Sequence, residues 1–197
     1  MPRIVAGALV LLLAGASSAH ADWLITPYIG MGFAGETTFL LLERGAGESK
    51  LTFGASAAAV SDGFLGVEAD VAHAPGFFQG DDPLGVVQSS RVTTLGGNVM
   101  LLAPLAVTRE SLRPYLVGGL GLMQARIRDE IDLIPQNYDL LGLTLGAGAV
   151  GMLSERTGVR FDLRHLKAIA GGEELVPSEG TSRLSFWRAS LGVIVRY

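Results

Sequence analysis

Phe186-Trp187-Arg188-Ala189-Ser190-Leu191-Gly192-Val193-Ile194-Val195-Arg196-Tyr197 is the stretch that decides the fold. It alternates with period two. Trp187, Ala189, Leu191, Val193, Val195 and Tyr197 share one face, and Phe186, Arg188, Ser190, Gly192, Ile194 and Arg196 share the other. Side chains that alternate in this way lie on opposite sides of a β-strand. An apolar face ending on an aromatic residue fits the last strand of a barrel whose outer wall meets lipid.

Working back from that strand, the same period recurs in seven further segments: 23–34, 50–60, 64–73, 91–102, 113–126, 140–153 and 159–169. Leu65, Val67, Ala69 and Val71 oppose Gly66, Glu68, Asp70 and Ala72. Leu141, Leu143, Leu145, Ala147 and Ala149 oppose Gly142, Thr144, Gly146 and Gly148. Segment 113–126 is apolar and Gly-rich on both parities, so its facing is open. The joins run long, short, long, medium, long, short, long. Outer-membrane barrels pair short periplasmic turns with longer outer loops and have an even strand number. The expected fold is therefore all-β: an eight-stranded, up-and-down, antiparallel transmembrane barrel.

Composition agrees. Of 197 residues, 49% are hydrophobic, 17% are charged and 27 are glycine. Mean hydropathy is +0.40. After the leader, no stretch reaches the roughly 18 apolar residues of a membrane-crossing helix. Arg3, the apolar run Ile4–Ala16 and Ala19-His20-Ala21 read as a secretory signal peptide over residues 1–21, cleaved before a barrel domain of residues 22–197. The net charge of −4 without a basic tract speaks against nucleic acid as a partner. With no cysteine there is no disulfide, thiolate site or acylated N-terminal cysteine.

Alternation alone does not say which face points inward, and a soluble lipocalin-like barrel would place the apolar face inside. Three features favour lipid outside. The opposite face is small, or carries isolated charges. The aromatics fall at strand ends, with Trp23, Phe64, Tyr115, Phe161 and Tyr197 on the turn side and Phe33, Phe53 and Trp187 on the loop side, as two interfacial girdles. Leu191, Val193, Val195 and Tyr197 are similar to the terminal signal that barrel-assembly machinery reads. The expected interior charges are then Glu68, Asp70, Arg160, Asp162, Arg164, Arg188 and Arg196. Charges confined in a narrow bore must pair, and eight strands enclose only enough room for side chains.

With the strands laid out, the chain resembles the eight-stranded outer-membrane β-barrel family that includes the OmpA barrel, the opacity proteins and related porin-like surface proteins. Three segments carry the resemblance: Pro27-Tyr28-Ile29-Gly30, Arg113-Pro114-Tyr115-Leu116-Val117-Gly118-Gly119, and Gly158-Val159-Arg160-Phe161-Asp162-Leu163-Arg164. It spans essentially all of the mature chain. It implies a place in the cell outer membrane, contact with outer-membrane lipid and lipopolysaccharide, and a role in envelope structure, adhesion or surface binding. Some related barrels modify lipids. No peptidoglycan-binding domain follows the barrel, so a wall-tethering role is not expected.

No chemical motif stands up to the demands of its chemistry. Gly146-Ala147-Gly148-Ala149-Val150-Gly151 matches a dinucleotide-binding spacing, but sits in a strand with no helix to follow. Lipid A deacylases of similar shape use His-x-Ser; here His73 precedes Ala74-Pro75 and His165 precedes Leu166-Lys167. Asp81-Asp82, Asp129-Glu130 and Glu173-Glu174 lack cation-binding spacing. The expectation is no catalytic residue, no metal and no cofactor. The expected role is a non-enzymatic, structural or surface-binding barrel acting through four outer loops, with an external ligand at apolar loop residues such as Leu40-Leu41-Leu42 or Phe77-Phe78. A narrow ion or small-solute channel and a lipid-modifying enzyme are the alternatives.

Overall fold

The computed structural model describes residues 21–37, 49–77, 87–108, 112–129, 136–171 and 184–197. The expected leader, Ala21 apart, lies outside them, as does most of each long loop, including Leu40-Leu41-Leu42, Phe78, Asp81-Asp82, Glu130 and Glu173-Glu174. Among the described residues, the strands are β1 (Ala21–Thr37), β2 (Lys50–Ser61), β3 (Leu65–Pro75), β4 (Val87–Leu102), β5 (Arg113–Asp129), β6 (Gln136–Met152), β7 (Thr157–Gly171) and β8 (Leu184–Arg196). One helical turn, α1 (Leu105–Thr108), lies between β4 and β5.

Every strand pairs antiparallel with its sequence neighbours, and β1 pairs with β8 to close the barrel. Closure removes both sheet edges, so the backbone groups of the ladders are paired without water, as a bilayer core demands. Trp23 and Tyr197 exchange backbone hydrogen bonds at the turn-side end of the seam. β4 and β6 each begin four residues earlier than the alternation suggested, at Val87 and Gln136. A hydrogen-bonded ladder needs no apolar residues, so it continues into the polar loop bases.

The apolar parity faces out. Leu191, Leu145 and Leu95 are 57%, 54% and 56% exposed, whereas Arg164 and Arg188 are each 1% exposed. β5 now has a facing: Leu116, Leu120 and Leu122 point out, and Arg113, Tyr115, Val117 and Met123 point in. This corrects the expectation for Tyr115, which is buried in the bore rather than part of the girdle. Phe77 is a second correction. It is 2% exposed and packs edge-on against Phe186 at a centroid distance of 5.0 Å, so it offers no free loop contact. Gly76, with φ of 66°, turns the chain after β3 and brings Phe77 back over the mouth. Burial of a phenyl ring outweighs the cost of that turn.

The outer end of the β1–β8 seam carries a bulge. Phe33 pairs with Trp187 and Glu36 with Ser185, so β1 spends one extra residue there. Ala34 absorbs it with φ of 50°, a left-handed conformation unfavourable to a residue with a Cβ.

Candidate functional site

The interior is built in three layers. The loop-side layer is an apolar cluster that includes Phe77, Val92, Met123, Leu140, Leu166, Leu184 and Phe186. The turn-side layer is another, with Leu24, Val60, Met100, Leu102, Tyr115, Val117, Val150 and Ile194. Between them lie three arginines and three carboxylates, Arg160, Arg164, Arg188, Glu68, Asp70 and Asp162, each no more than 5% exposed.

β3 and β7 stand four strands apart in an eight-stranded ring, so they face each other across the bore. Arg164 bridges it with a forked pair to Glu68, Nη1 to Oε1 at 2.7 Å and Nη2 to Oε2 at 3.1 Å. Its Nε donates to Asp162 at 3.1 Å. Arg160 lies 2.5 Å from Glu68 Oε2 and 2.7 Å from Asp162 Oδ2. It also donates to the Tyr115 hydroxyl at 2.8 Å and to Ser56 Oγ at 3.1 Å. Asn98 Nδ2 donates to Glu68 Oε1 at 2.9 Å. Glu68 is therefore the hub, its two oxygens shared among two guanidinium groups and an amide.

Asp70 organises a second node. Arg188 Nη2 donates to Oδ1 at 2.8 Å, and the Tyr28 hydroxyl donates to Oδ2 at 2.7 Å. The guanidinium of Arg188 lies over the Tyr28 ring, 5.1 Å from its centroid, as Arg160 lies 5.0 Å from that of Tyr115. Arg188 Nε and Nη1 have no hydrogen-bond partner among the described residues. Each large ring needs space on the next strand. Gly54 beside Tyr28 and Gly148 beside Tyr115 supply it, since a Cβ at either would collide with the ring.

Arg196 sits apart from this network. It lies beyond the Ile194 layer at the turn-side mouth, with its side chain 23% exposed, 3.4 Å from the Asp22 carboxylate and donating to the Glu155 carbonyl at 2.7 Å. It is the penultimate residue, so its position on the inward parity leads to the barrel end rather than into the bore. Tyr28, Ser56, Asn98 and Tyr115 join the network although the sequence did not single them out as site residues. Their signal was parity: Tyr28 shares a face with Gly30 and Gly32, and Asn98 with Gly96.

Leu191, Val193 and Tyr197 are exposed on the outer wall, and Val195 is half-buried there. His73 and His165 also lie on the outer wall. His73 Nδ1 is 2.9 Å from Thr93 Oγ1, and the His165 ring lies 4.9 Å from that of Trp187. Among the described residues, no three His, Asp or Glu side chains are grouped as ligands for a metal. The strand bearing Gly146-Ala147-Gly148 is β6, where those glycines face the bore.

A paired charge layer inside and a continuous apolar band outside are the reverse of a soluble barrel. The chain is a transmembrane β-barrel of the outer-membrane type. Solved structures agree. The Neisserial surface protein NspA is similar with a TM-score of 0.60 at 12% identity, over 89% of this chain and 97% of that one. The N-terminal barrel of Pseudomonas aeruginosa OprF is similar with a TM-score of 0.58 at 14% identity, over 91% and 100%. Yersinia pestis Ail, in complex with the heparin analogue sucrose octasulfate, is similar with a TM-score of 0.55 at 12% identity, over 90% and 99%. It has the fold of the eight-stranded outer-membrane barrels. No protein-family model and no curated protein sequence matches the chain.

Proposed function

We propose that the chain serves the outer membrane as a sealed, non-enzymatic barrel that works through the four loops at its outer end. The observation that supports this is the interior: an ion-paired layer closed above and below by apolar clusters of buried side chains. An ion entering from either side would first have to part an apolar plug. It would then have to compete with arginine for each carboxylate, at a desolvation cost of several kcal/mol. Planar bilayers containing the purified barrel should stay silent, and a steady unitary conductance would favour the narrow-channel alternative.

The sequence also points to the class of external partner. Segments 38–48, 78–86, 130–135 and 172–183 carry nine acidic residues against two arginines. That balance favours a cationic partner over a polyanion such as the one bound by Ail. Replacing the four segments by short neutral turns should abolish such binding while the barrel persists. Assembly is assigned to Leu191, Val193, Val195 and Tyr197 as the stretch read by the barrel-assembly machinery. Removing Tyr197 should lower the yield of heat-modifiable barrel in the membrane fraction, and an unchanged yield would overturn that assignment.

A further inference from the structure

Not every polar atom of the bore is spent on the ionic layer. Asn98 Oδ1 and Thr94 Oγ1 are buried without a hydrogen-bond partner among the described residues. Asn98 is 5% exposed and Thr94 7%. A carboxylate only accepts, so the Asn98 nitrogen must face Glu68 and the oxygen must face away from it. Leaving a buried acceptor and a buried hydroxyl unpaired is costly.

Both side chains flank the same residue. Thr94, Gly96 and Asn98 are successive inward positions on β4. Gly96 stands opposite Asp70 on β3 and Gly121 on β5, and Gly121 stands opposite Gly142 on β6. The row therefore runs from a carboxylate across three glycines. Close packing requires two of them: a Cβ at Gly142 would strike the Met123 sulfur, and one at Gly121 the Leu95 carbonyl. Gly96 differs. A Cβ there would meet nothing closer than Asn98 Oδ1, at 3.7 Å. Packing would admit a methyl group at this position, and glycine keeps the room free.

A cavity of about 10 Å³ lies there, and Asp70, Thr94, Gly96, Gly121, Met123 and Thr144 are among the residues that line it. One water molecule needs about that volume and two to four polar partners. Three are at hand. Asn98 Oδ1 accepts, the Thr94 hydroxyl can donate, and the Asp70 oxygens, which hold Arg188 and Tyr28, each keep a further lone pair. Charge decides against an ion. Asp70 Oδ1 already has Arg188 at 2.8 Å and Arg164 at 3.9 Å. A cation would add a fourth positive charge to a balanced layer, and an anion would face acceptor oxygens.

We propose that the cavity over Gly96 binds one water molecule, which donates to Asn98 Oδ1 and Asp70 and accepts from Thr94 Oγ1. Asn98 belongs to the Glu68 hub, so this water ties the two ionic nodes together. A single water between two apolar layers opens no path through the bore, and the site is independent of what the loops bind.

Two measurements on the intact barrel test it. A crystal structure that resolves solvent should show one density peak within hydrogen-bond distance of Asn98 Oδ1 and Thr94 Oγ1. Crystals grown with thallium(I) in place of sodium should show no anomalous scattering at that peak. In nanodiscs, nuclear magnetisation should pass from water to the Asn98 side-chain amide of deuterated protein. Gly96→Ala fills the room with a methyl group and should lose that transfer. Thr94→Val removes one partner and should weaken it. Gly97→Ala, on the outward face where a Cβ meets nothing within 4 Å, should leave it unchanged. Boiled and unboiled gel migration verifies the fold of each variant. A wild-type structure without the peak, an anomalous signal from thallium at the site, or transfer undiminished in folded Gly96→Ala or Thr94→Val would each overturn the assignment.

Discussion

Glu68→Gln is the most informative single change, because it preserves shape and removes one charge from a balanced set. The interior layer holds three guanidinium groups and three carboxylates. Losing one leaves a net positive charge among side chains that are each no more than 5% exposed. The damage concentrates on Arg164 and Arg160, both of which hold Glu68 at 3.1 Å or less. The new amide has one oxygen to offer, and its NH2 faces guanidinium donors, so part of the fork becomes donor against donor. Breaking a buried pair from one side costs about 3–5 kcal/mol. Urea titration in short-chain phosphatidylcholine vesicles, followed by emission of the lipid-facing Trp23 and Trp187, should show a loss of that size. Adding Arg164→Gln restores the balance, so the double variant should lose less than the sum of the two single losses. A loss under about 1 kcal/mol for Glu68→Gln, or strict additivity in the cycle, would show that the ion pairs do not hold the bore together.

Three further changes probe other parts of the barrel. Arg196→Gln breaks a pair that is 23% and 42% exposed, so urea stability should fall by less than about 1 kcal/mol, in contrast to Glu68. Leu145→Arg places a cation in the outer apolar band and should cost about 2–4 kcal/mol in vesicles; an unchanged midpoint would argue against lipid at that face. Ala34→Gly relieves a left-handed alanine in the seam bulge and should raise stability by about 0.5–1 kcal/mol in the same titration.

The strands were legible because lipid imposes a strict rule: every outward position in the band must be apolar, so period two survives in the sequence. β3 shows it cleanly, with Leu65, Val67 and Val71 out and Glu68 and Asp70 in. β5 hid its facing because both parities are apolar. Val117 and Met123 fill the bore beside the glycines, while Leu116 and Leu122 meet lipid. Tyr115 was misplaced for the same reason, since an aromatic residue at a strand end suits either a girdle or a buried cation. The ionic members of the site could be read from parity, whereas their partners depend on which strands face each other and how far each side chain reaches. Phe77 and the Ala34 bulge lie where periodicity stops. A residue that turns back over a mouth, or an extra residue absorbed in a seam, is set by tertiary packing rather than by local pattern.

Accessibility along β4 tests the sorting of faces most directly. The chain has no cysteine, so each introduced one carries a unique nitroxide label. Thr93 through Leu101 can be scanned, including Gly96, where an added Cβ meets nothing closer than 3.7 Å. Labels at Leu95, Gly97, Val99 and Leu101 should relax strongly with dissolved oxygen, as lipid-exposed sites do. Those at Thr94, Gly96, Asn98 and Met100 should be immobile and reached by neither oxygen nor a water-soluble nickel complex. Oxygen accessibility without a two-residue period, or nickel access at 95, 97 and 99, would contradict a barrel that greets lipid with one face and packs its charges behind the other.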